Sequence, residues 1–129
     1  MKKKGIALLL ALFTLLIISL LVVVLFELTA TDLQISSNHY LKNQALYIAD
    51  AGVEYGLSTL KSGAKIFPYT AELPSGSGNT YSVNYNASSG IITSTGRLSS
   101  GEQVRLEAKV SVTGVPYRVK IIYWREVYG

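Results

Sequence analysis

Few residues in this chain combine the type and the spacing that chemistry requires. His39 is the single histidine, which excludes a zinc site built on two or three imidazoles, and the absence of cysteine excludes disulfides and thiol catalysis. Asp50 and Glu54 lie four residues apart and could form a carboxylate pair, but a solvated helix face explains them more simply. With no phosphate-binding glycine loop, serine-hydrolase elbow or zinc-protease motif, we predict a non-enzymatic protein with no catalytic residue, cofactor or metal.

The basic residues are the second group with binding potential. Three of the 12 lysines and arginines form the N-terminal run Lys2–Lys4, so the rest of the chain, which carries all 8 acidic residues, is close to neutral. Four others fall on the polar faces of two strands predicted to be neighbours: Arg105, Lys109, Arg118 and Lys120. Such a stripe could bind DNA, another anionic polymer or an acidic partner. Because Glu107 lies among them, we favour a solvated sheet face, and we treat nucleic acid as the less favoured partner.

One aromatic pair near the C-terminus is a further candidate contact. Tyr123 and Trp124 are adjacent in a predicted strand. Successive side chains of a strand point to opposite faces, so one of the two must face away from the core. We predict Trp124 as a contact to a partner or to another subunit.

The element that precedes all of these residues is a membrane segment. Residues 6–26 contain no charged side chain and would form about 32 Å of helix, which matches a bilayer core of about 30 Å. The lysines before the segment and Glu27 after it predict an N-terminus in the cytoplasm. We therefore divide this region into a basic leader (1–5) and a transmembrane or filament-core helix half (6–27). A cleaved signal peptide is the alternative, but its apolar region is normally only about 7–15 residues long.

The helical pattern continues beyond the membrane segment. Apolar and small residues recur at helical spacing from Leu41 to Leu60, which predicts an amphipathic helix half over 28–61, with a kink conceivable in the polar stretch 36–39. Small residues repeat on its buried face: Ala45, Ala49, Gly52 and Gly56. Such residues allow another backbone to approach closely. That backbone could belong to the protein's own sheet or to a neighbouring chain.

The C-terminal half has the pattern of an antiparallel sheet. Residues 62–79 are rich in Gly, Ser and Pro and predict a connecting loop. Residues 80–129 alternate apolar and polar side chains between turn residues, which predicts four strands in a meander. One apolar sheet face needs a cover, and 41–61 is the candidate in this chain. We predict an α+β fold in which 41–61 and the sheet form a globular head.

Two segments resemble a known superfamily. The leader KKKG followed by IALLLALFTLL, and the later ALYIADAGVEYGLSTL, are similar to type IV pilins and pseudopilins, in particular to minor pilins of the PilX N-terminal type. The resemblance covers about residues 1–61. It implies a long helix packed on a small antiparallel sheet, cleavage by a prepilin peptidase after Gly5, and Ile6 as a new and methylatable N-terminus.

The resemblance also implies partners, a location and one departure. The partners are other pilin or pseudopilin subunits, the prepilin peptidase and an inner-membrane assembly platform. The location is the cytoplasmic membrane first and an extracytoplasmic filament later. Major pilins usually carry glutamate as the fifth residue of the mature chain, where this chain has Leu10. Our hypothesis is a minor, initiating or tip-located subunit of a type IV pilus, a type II secretion system or a DNA-uptake filament. The alternative is a single-pass, membrane-anchored binding or accessory module that is neither processed nor polymerised.

Overall fold

A computed structural model describes residues 2–63, 67–114 and 116–128, and the backbone alone for Lys2. Parts of three predicted regions lie outside these described residues: Met1 in the leader, 64–66 in the loop, and 115 and 129 in the sheet region. The described residues form one helix and five strands: α1 (Lys2–Lys61), β1 (Tyr69–Glu72), β2 (Thr80–Asn86), β3 (Ile91–Arg97), β4 (Gln103–Thr113) and β5 (Arg118–Val127). The α+β class and the long N-terminal helix are confirmed.

The chain divides into two compact units, Met1–Asn38 and His39–Gly129. In the first unit every described residue is helical, and every side chain from Lys3 onward is exposed. Helix α1 is assigned without interruption through the polar stretch 36–39. We call the second unit the head.

The end of α1 is set by a glycine. Gly63 has a φ of +76°, a left-handed conformation that closes helix C-termini and that glycine adopts without steric cost. The amide of Gly63 donates to the carbonyl of Leu60 at 3.1 Å, which satisfies one of the last helix carbonyls. The helix therefore stops where its apolar pattern stops.

The head contains one antiparallel sheet in the order β1-β2-β3-β4-β5. The expectation of four strands was wrong by one, because β1 lies inside the predicted loop 62–79. Its four residues stand between Pro68 and Pro74, and this turn-like composition concealed their alternation. Strand β1 lies at the edge of the sheet and pairs with β2, where Tyr69 lies opposite Val83 and Glu72 opposite Thr80.

Strand β5 does not keep the strict alternation that its sequence suggested. Val110 pairs with Ile121 and Lys109 with Tyr123, so Ile122 is an extra residue, a β-bulge. Beyond the bulge the two faces are exchanged. Trp124 lies opposite Ala108 on the core side and packs against the core, whereas Tyr123 lies on the opposite face.

The core lies between the second half of α1 and one face of the sheet. Ala45, Ala49 and Val53 of the helix are fully buried, as are Val83 and Ile92 of the sheet. An aromatic group closes one side of this core, with the ring of Tyr55 stacked on that of Tyr69 at a centroid distance of 4.2 Å and Tyr81 tilted against both. Burial, and to a lesser extent the neighbouring tyrosines, raise the pKa of Tyr81 above its usual range.

Candidate functional site

The apolar segment, defined as residues 6–26, presents large side chains on every side. Exposed fractions are 63% for Ile6, 64% for Leu10 and 73% for Phe26, although burying such side chains is strongly favourable. Among the described residues, α1 is the one helix long and apolar enough to cross a membrane, and none of its most apolar stretch is buried. The partner of this segment is therefore outside the described chain.

The polar side chains of the apolar segment are internally satisfied. The hydroxyl of Thr14 donates to the carbonyl of Leu10 at 2.5 Å, and that of Ser19 donates to the carbonyl of Leu15 at 2.8 Å. A hydroxyl bonded to the preceding turn of its own helix leaves no donor to be desolvated. The segment can thus enter hydrocarbon or a bundle of helices without an unpaired polar group from these two residues.

The residues predicted for processing and filament position lie together at the start of α1. Gly5, Ile6 and Leu10 are helical and exposed. A Cβ atom added at Gly5 would have no described neighbour within 4 Å, so the fold itself places no steric demand for glycine there. Any requirement for Gly5 has to come from another molecule.

The four small helix residues contact the head's own sheet, along what we call the seam. Its helix side is Ala45, Ala49, Gly52 and Gly56, and its sheet side is Ile92, Ser94 and Gly96 of β3. A Cβ added at Gly96 would overlap the carbonyl oxygen of Ala45 and stand 2.5 Å from the amide nitrogen of Ala49. At this glycine of the seam an added Cβ would meet backbone atoms, whereas at Gly52 and Gly56 it would meet side-chain atoms.

The seam is graded in side-chain size. Gly52 lies over Ser94, whose Oγ occupies the space that a Cβ at Gly52 would need. Gly56 lies over Ile92, where an added Cβ would be 3.1 Å from Cγ2. Along the core face of β3 the residues thus shrink from Ile92 to Ser94 to Gly96 as the helix backbone approaches. This graded series was visible in the sequence, but its meaning depends on knowing which strand faces the helix.

Ser94 is a polar residue in the apolar contact between helix and sheet. It is fully buried, and its Oγ has no hydrogen-bond partner among the described residues. Leaving a buried hydroxyl unpaired typically costs about 1–3 kcal/mol. Since its Oγ fits against Gly52, its size, and not its hydroxyl, explains its place in the seam.

The four predicted basic residues lie on one face, the outer face of the sheet, which is opposite the seam. Strand alternation and pairing register place two more there, which the sequence reading missed; the full set is Arg97, Arg105, Lys109, Arg118, Lys120 and Arg125. Only the pairing register identifies these two residues. Arg97 comes near Arg105 through the pairing of β3 with β4, and Arg125 reaches the outer face because the bulge exchanges the two faces of β5.

Two carboxylates share the outer face. Glu72 lies on β1 at the edge of the sheet, in line with Thr80 and Arg97, and Glu107 lies among the basic residues, where its neighbours engage it. Oε1 of Glu107 accepts a hydrogen bond from the hydroxyl of Tyr123 at 2.9 Å and one from the guanidinium of Arg125 at 3.3 Å. The hydrogen bond to Glu107 raises the pKa of Tyr123 above its usual range. The ring of Tyr123 also lies under the guanidinium of Arg125, 4.9 Å from its centroid.

The other candidates for chemistry are His39, Asp50 and Glu54. His39 and Glu54 are exposed and Asp50 is half-buried. Among residues 2–63, 67–114 and 116–128, no three His, Cys, Asp or Glu side chains are grouped to hold a metal ion. The arrangement that the structure does provide is one of surfaces: an exposed apolar helix, a closely packed seam and a basic sheet face.

Comparison with protein families adds one finding. The family described as PilX N-terminal matches residues 4–54, a stretch that contains the apolar segment and the first three small residues of the seam. No curated protein and no solved structure was found to match the chain. A domain of this family points to a structural protein that interacts with other pilus subunits, and the long apolar helix fits membrane anchoring. The match supports a type IV pilin N-terminal region of the PilX type at residues 4–54, and with it a pilin-like component of the type IV pilus.

Proposed function

We propose that this chain is a minor-pilin or pseudopilin subunit of a type IV pilus, or of a related type II secretion or DNA-uptake filament. The observation that carries the proposal is the PilX-type match over residues 4–54, which coincides with a helix that is exposed from Lys3 to Tyr40. A helix that is apolar on every side needs a surrounding that the chain itself does not supply. Lipid is that surrounding before assembly, and the helices of other subunits replace it afterwards.

Maturation in this proposal is the removal of residues 1–5 by a prepilin peptidase that cleaves after Gly5. The three lysines of the leader hold the N-terminus in the cytoplasm, and an inner-membrane assembly platform receives the processed chain. Without those charges, the segment that begins at Ile6 can exchange lipid contacts for contacts with helices of similar polarity. Since both surroundings are apolar, this exchange costs little per residue while packing against neighbouring helices is gained.

The test is the N-terminus of the protein in membranes. We would measure intact mass and N-terminal sequence after co-expression with an active prepilin peptidase or with its catalytically inactive variant. The expected result is a chain that begins at Ile6 with the active enzyme only, and Gly5→Val should block this loss. A chain that keeps Met1 and stays stably anchored with both enzymes contradicts the proposal and favours a single-pass binding module.

The position in the filament is a finer part of the proposal. Leu10 places an apolar, 64% exposed side chain where a major pilin has a carboxylate for the N-terminal amine of its neighbour. A subunit at the tip or at initiation has no neighbour ahead that needs this carboxylate. Leu10→Glu should therefore alter piliation or move the subunit from the filament end, as seen by immunogold labelling. Unchanged pilus number and unchanged location count against a tip position, with Leu9→Gln as the control for polarity alone.

A further inference from the structure

We infer that the outer face of the sheet is a binding surface for duplex DNA, contacted through its phosphates and without sequence preference. The inference goes beyond filament membership, and it needs only a single copy of the chain. It therefore succeeds or fails independently of cleavage after Gly5. Four features support it: the concentration of positive charge, the engagement of the local carboxylate, the hydroxyl donors and the lack of other anchors.

The positive charge is concentrated and lies in a row. The outer face carries half of the 12 basic residues of the whole chain. Arg105 and Lys109 stand on β4, Arg97 lies beside Gln103 at one end, and Arg118 lies beside Thr113 at the other. At about 3.3 Å per residue the row extends roughly 33 Å along β4, close to one turn of B-form DNA at about 34 Å.

The single negative charge on β4 does not cancel this row. Glu107 is already engaged by Arg125 and by Tyr123, and its side chain is only 17% exposed. No ion pair within the described part of the chain involves Arg105, Lys109 or Lys120. These cations are therefore free for an external anion, which favours a binding surface over a merely solvated face.

Neutral donors stand between the cations. Thr93 and Thr95 on β3 and Ser111 and Thr113 on β4 share the outer face with the basic residues. Arg105 lines a depression of about 290 Å³ together with Thr95, Gln103 and Val127. Guanidinium, hydroxyl and amide groups are the usual donors to phosphate oxygens in protein–DNA complexes. The depression offers all three at one point.

At the centre of the described outer face, the anchors that other partners need are lacking. Single-stranded nucleic acid is held by stacking on free aromatic rings, but Tyr123, the aromatic residue of the described outer face, is covered by Arg125 and bonded to Glu107. Protein partners are usually held by central aromatic or apolar anchors. The centre of the described outer face carries Thr93, Glu107 and Arg125. A polyanion recognised by its backbone charge needs neither kind of anchor.

The experiment measures duplex binding by the full chain in non-ionic detergent micelles. Fluorescence anisotropy with a labelled 30-base-pair duplex would be recorded between 50 and 300 mM KCl for the wild type and for Arg105→Gln/Lys109→Gln. If about four phosphates are contacted, the slope of log K against log salt should be about −4 and should fall to about −2 in the variant. Affinity near 0.1 M salt should drop roughly 50-fold, since each lost contact costs close to a factor of 8 there.

The matched control removes two charges elsewhere on the head. Lys42→Gln/Lys61→Gln changes the helix side and leaves the outer face and the leader intact, and it should change affinity less than about 3-fold. Equal losses in both variants, or no binding at 50 mM salt, overturn the inference. Binding of poly-glutamate or of vesicles with anionic lipid as tightly as duplex also overturns it, because the surface would then respond to charge alone. Thermal unfolding by circular dichroism confirms that each variant is folded.

Discussion

The two halves of helix α1 use apolar residues in opposite ways. In the first half the side chains are large, and every described one from Lys3 to Tyr40 is exposed. In the second half the inward face includes the small residues of the seam, and Ala45, Ala49 and Val53 have no exposed surface at all. The first half is suited to surroundings without a fixed shape, such as lipid. The second half is suited to close packing against one particular backbone, that of β3.

This difference decides what each half tolerates. Lipid or a bundle of helices adapts to a change of side-chain size but not to a charge. The seam accepts no added atom where Gly96 faces the helix backbone, whereas a charge on its outward side meets only water. Substitutions in each half can therefore test the difference, and a charge in the apolar segment should have a larger effect than an added methyl group in the seam.

The largest effect is expected from a charge in the apolar segment. Leu16 is 62% exposed, and Leu16→Arg should reduce membrane insertion by about 3 kcal/mol, because a central arginine is disfavoured where leucine is favoured. Tyr47, 74% exposed on the head helix, is the control, and Tyr47→Arg should leave insertion and head stability unchanged. Carbonate extraction of membranes measures insertion for both variants. If both variants were extracted by carbonate to the same extent, the two halves of α1 would not differ in their tolerance of charge.

The next effect is expected at the closest point of the seam. Gly96→Ala places a Cβ against the backbone at Ala45 and Ala49 and should destabilise the head by about 2–3 kcal/mol. For a unit of this size that lowers Tm by roughly 10–20 °C in a circular dichroism melt. Gly76→Ala is the control: its φ is +83° but its surroundings are open, so a loss of only about 1 kcal/mol is expected. If Gly96→Ala left Tm unchanged, the two backbones would approach less closely than these distances indicate.

A smaller effect is expected where the seam meets a side chain. Gly52→Ala should destabilise the head because its Cβ takes the place of the Ser94 Oγ, and Ser94→Ala alone should be near neutral because that Oγ has no described partner. The double variant should recover about 1–2 kcal/mol in a thermodynamic cycle from urea unfolding. Additive effects would show that the two residues do not compete for space.

The smallest effect is expected away from both helix halves, in the turn after β1. Backbone hydrogen bonds from Gly78 and Gly76 hold the pKa of Glu72 below its ordinary value of 4.5. Stability from a lowered carboxylate pKa is fully present above the unfolded value and is lost as pH falls through the folded one. Glu72→Gln should therefore flatten the decline of Tm below about pH 5, with Glu54→Gln as the charge-matched control. Parallel pH profiles for Glu72→Gln and wild type would contradict the role of this turn.

The sequence predicted those features that depend on local pattern. Residues 6–26 are apolar without interruption, and β4 alternates from Val104 to Val112, so helix, strand and their facing sides followed from periodicity alone. The small residues at Ala45, Ala49, Gly52 and Gly56 were also recognised as a packing face. Their partner was left open, because the size of a residue indicates a close approach but not what approaches.

The features that escaped prediction depend on long-range register. Strand β1 is defined by its pairing with β2, where Tyr69 lies opposite Val83. The bulge at Ile122 is defined by the pairing of β5 with β4 on both sides of that residue. The bulge also placed Trp124, predicted as a partner contact, on the core side, and it brought Arg125 to the outer face. For the candidate site, the sequence supplied four of the six basic residues, and pairing supplied the other two.

The bulge in β5 has a consequence for how heads behave when they are crowded. Strand β5 is ten residues long and forms one edge of the sheet, and a long flat edge can template the addition of a strand from another molecule. The extra residue Ile122 breaks the even spacing of that edge, and Arg118 and Lys120 add repulsion along it. Such an edge resists aggregation, so that heads at high local concentration keep their sheets separate.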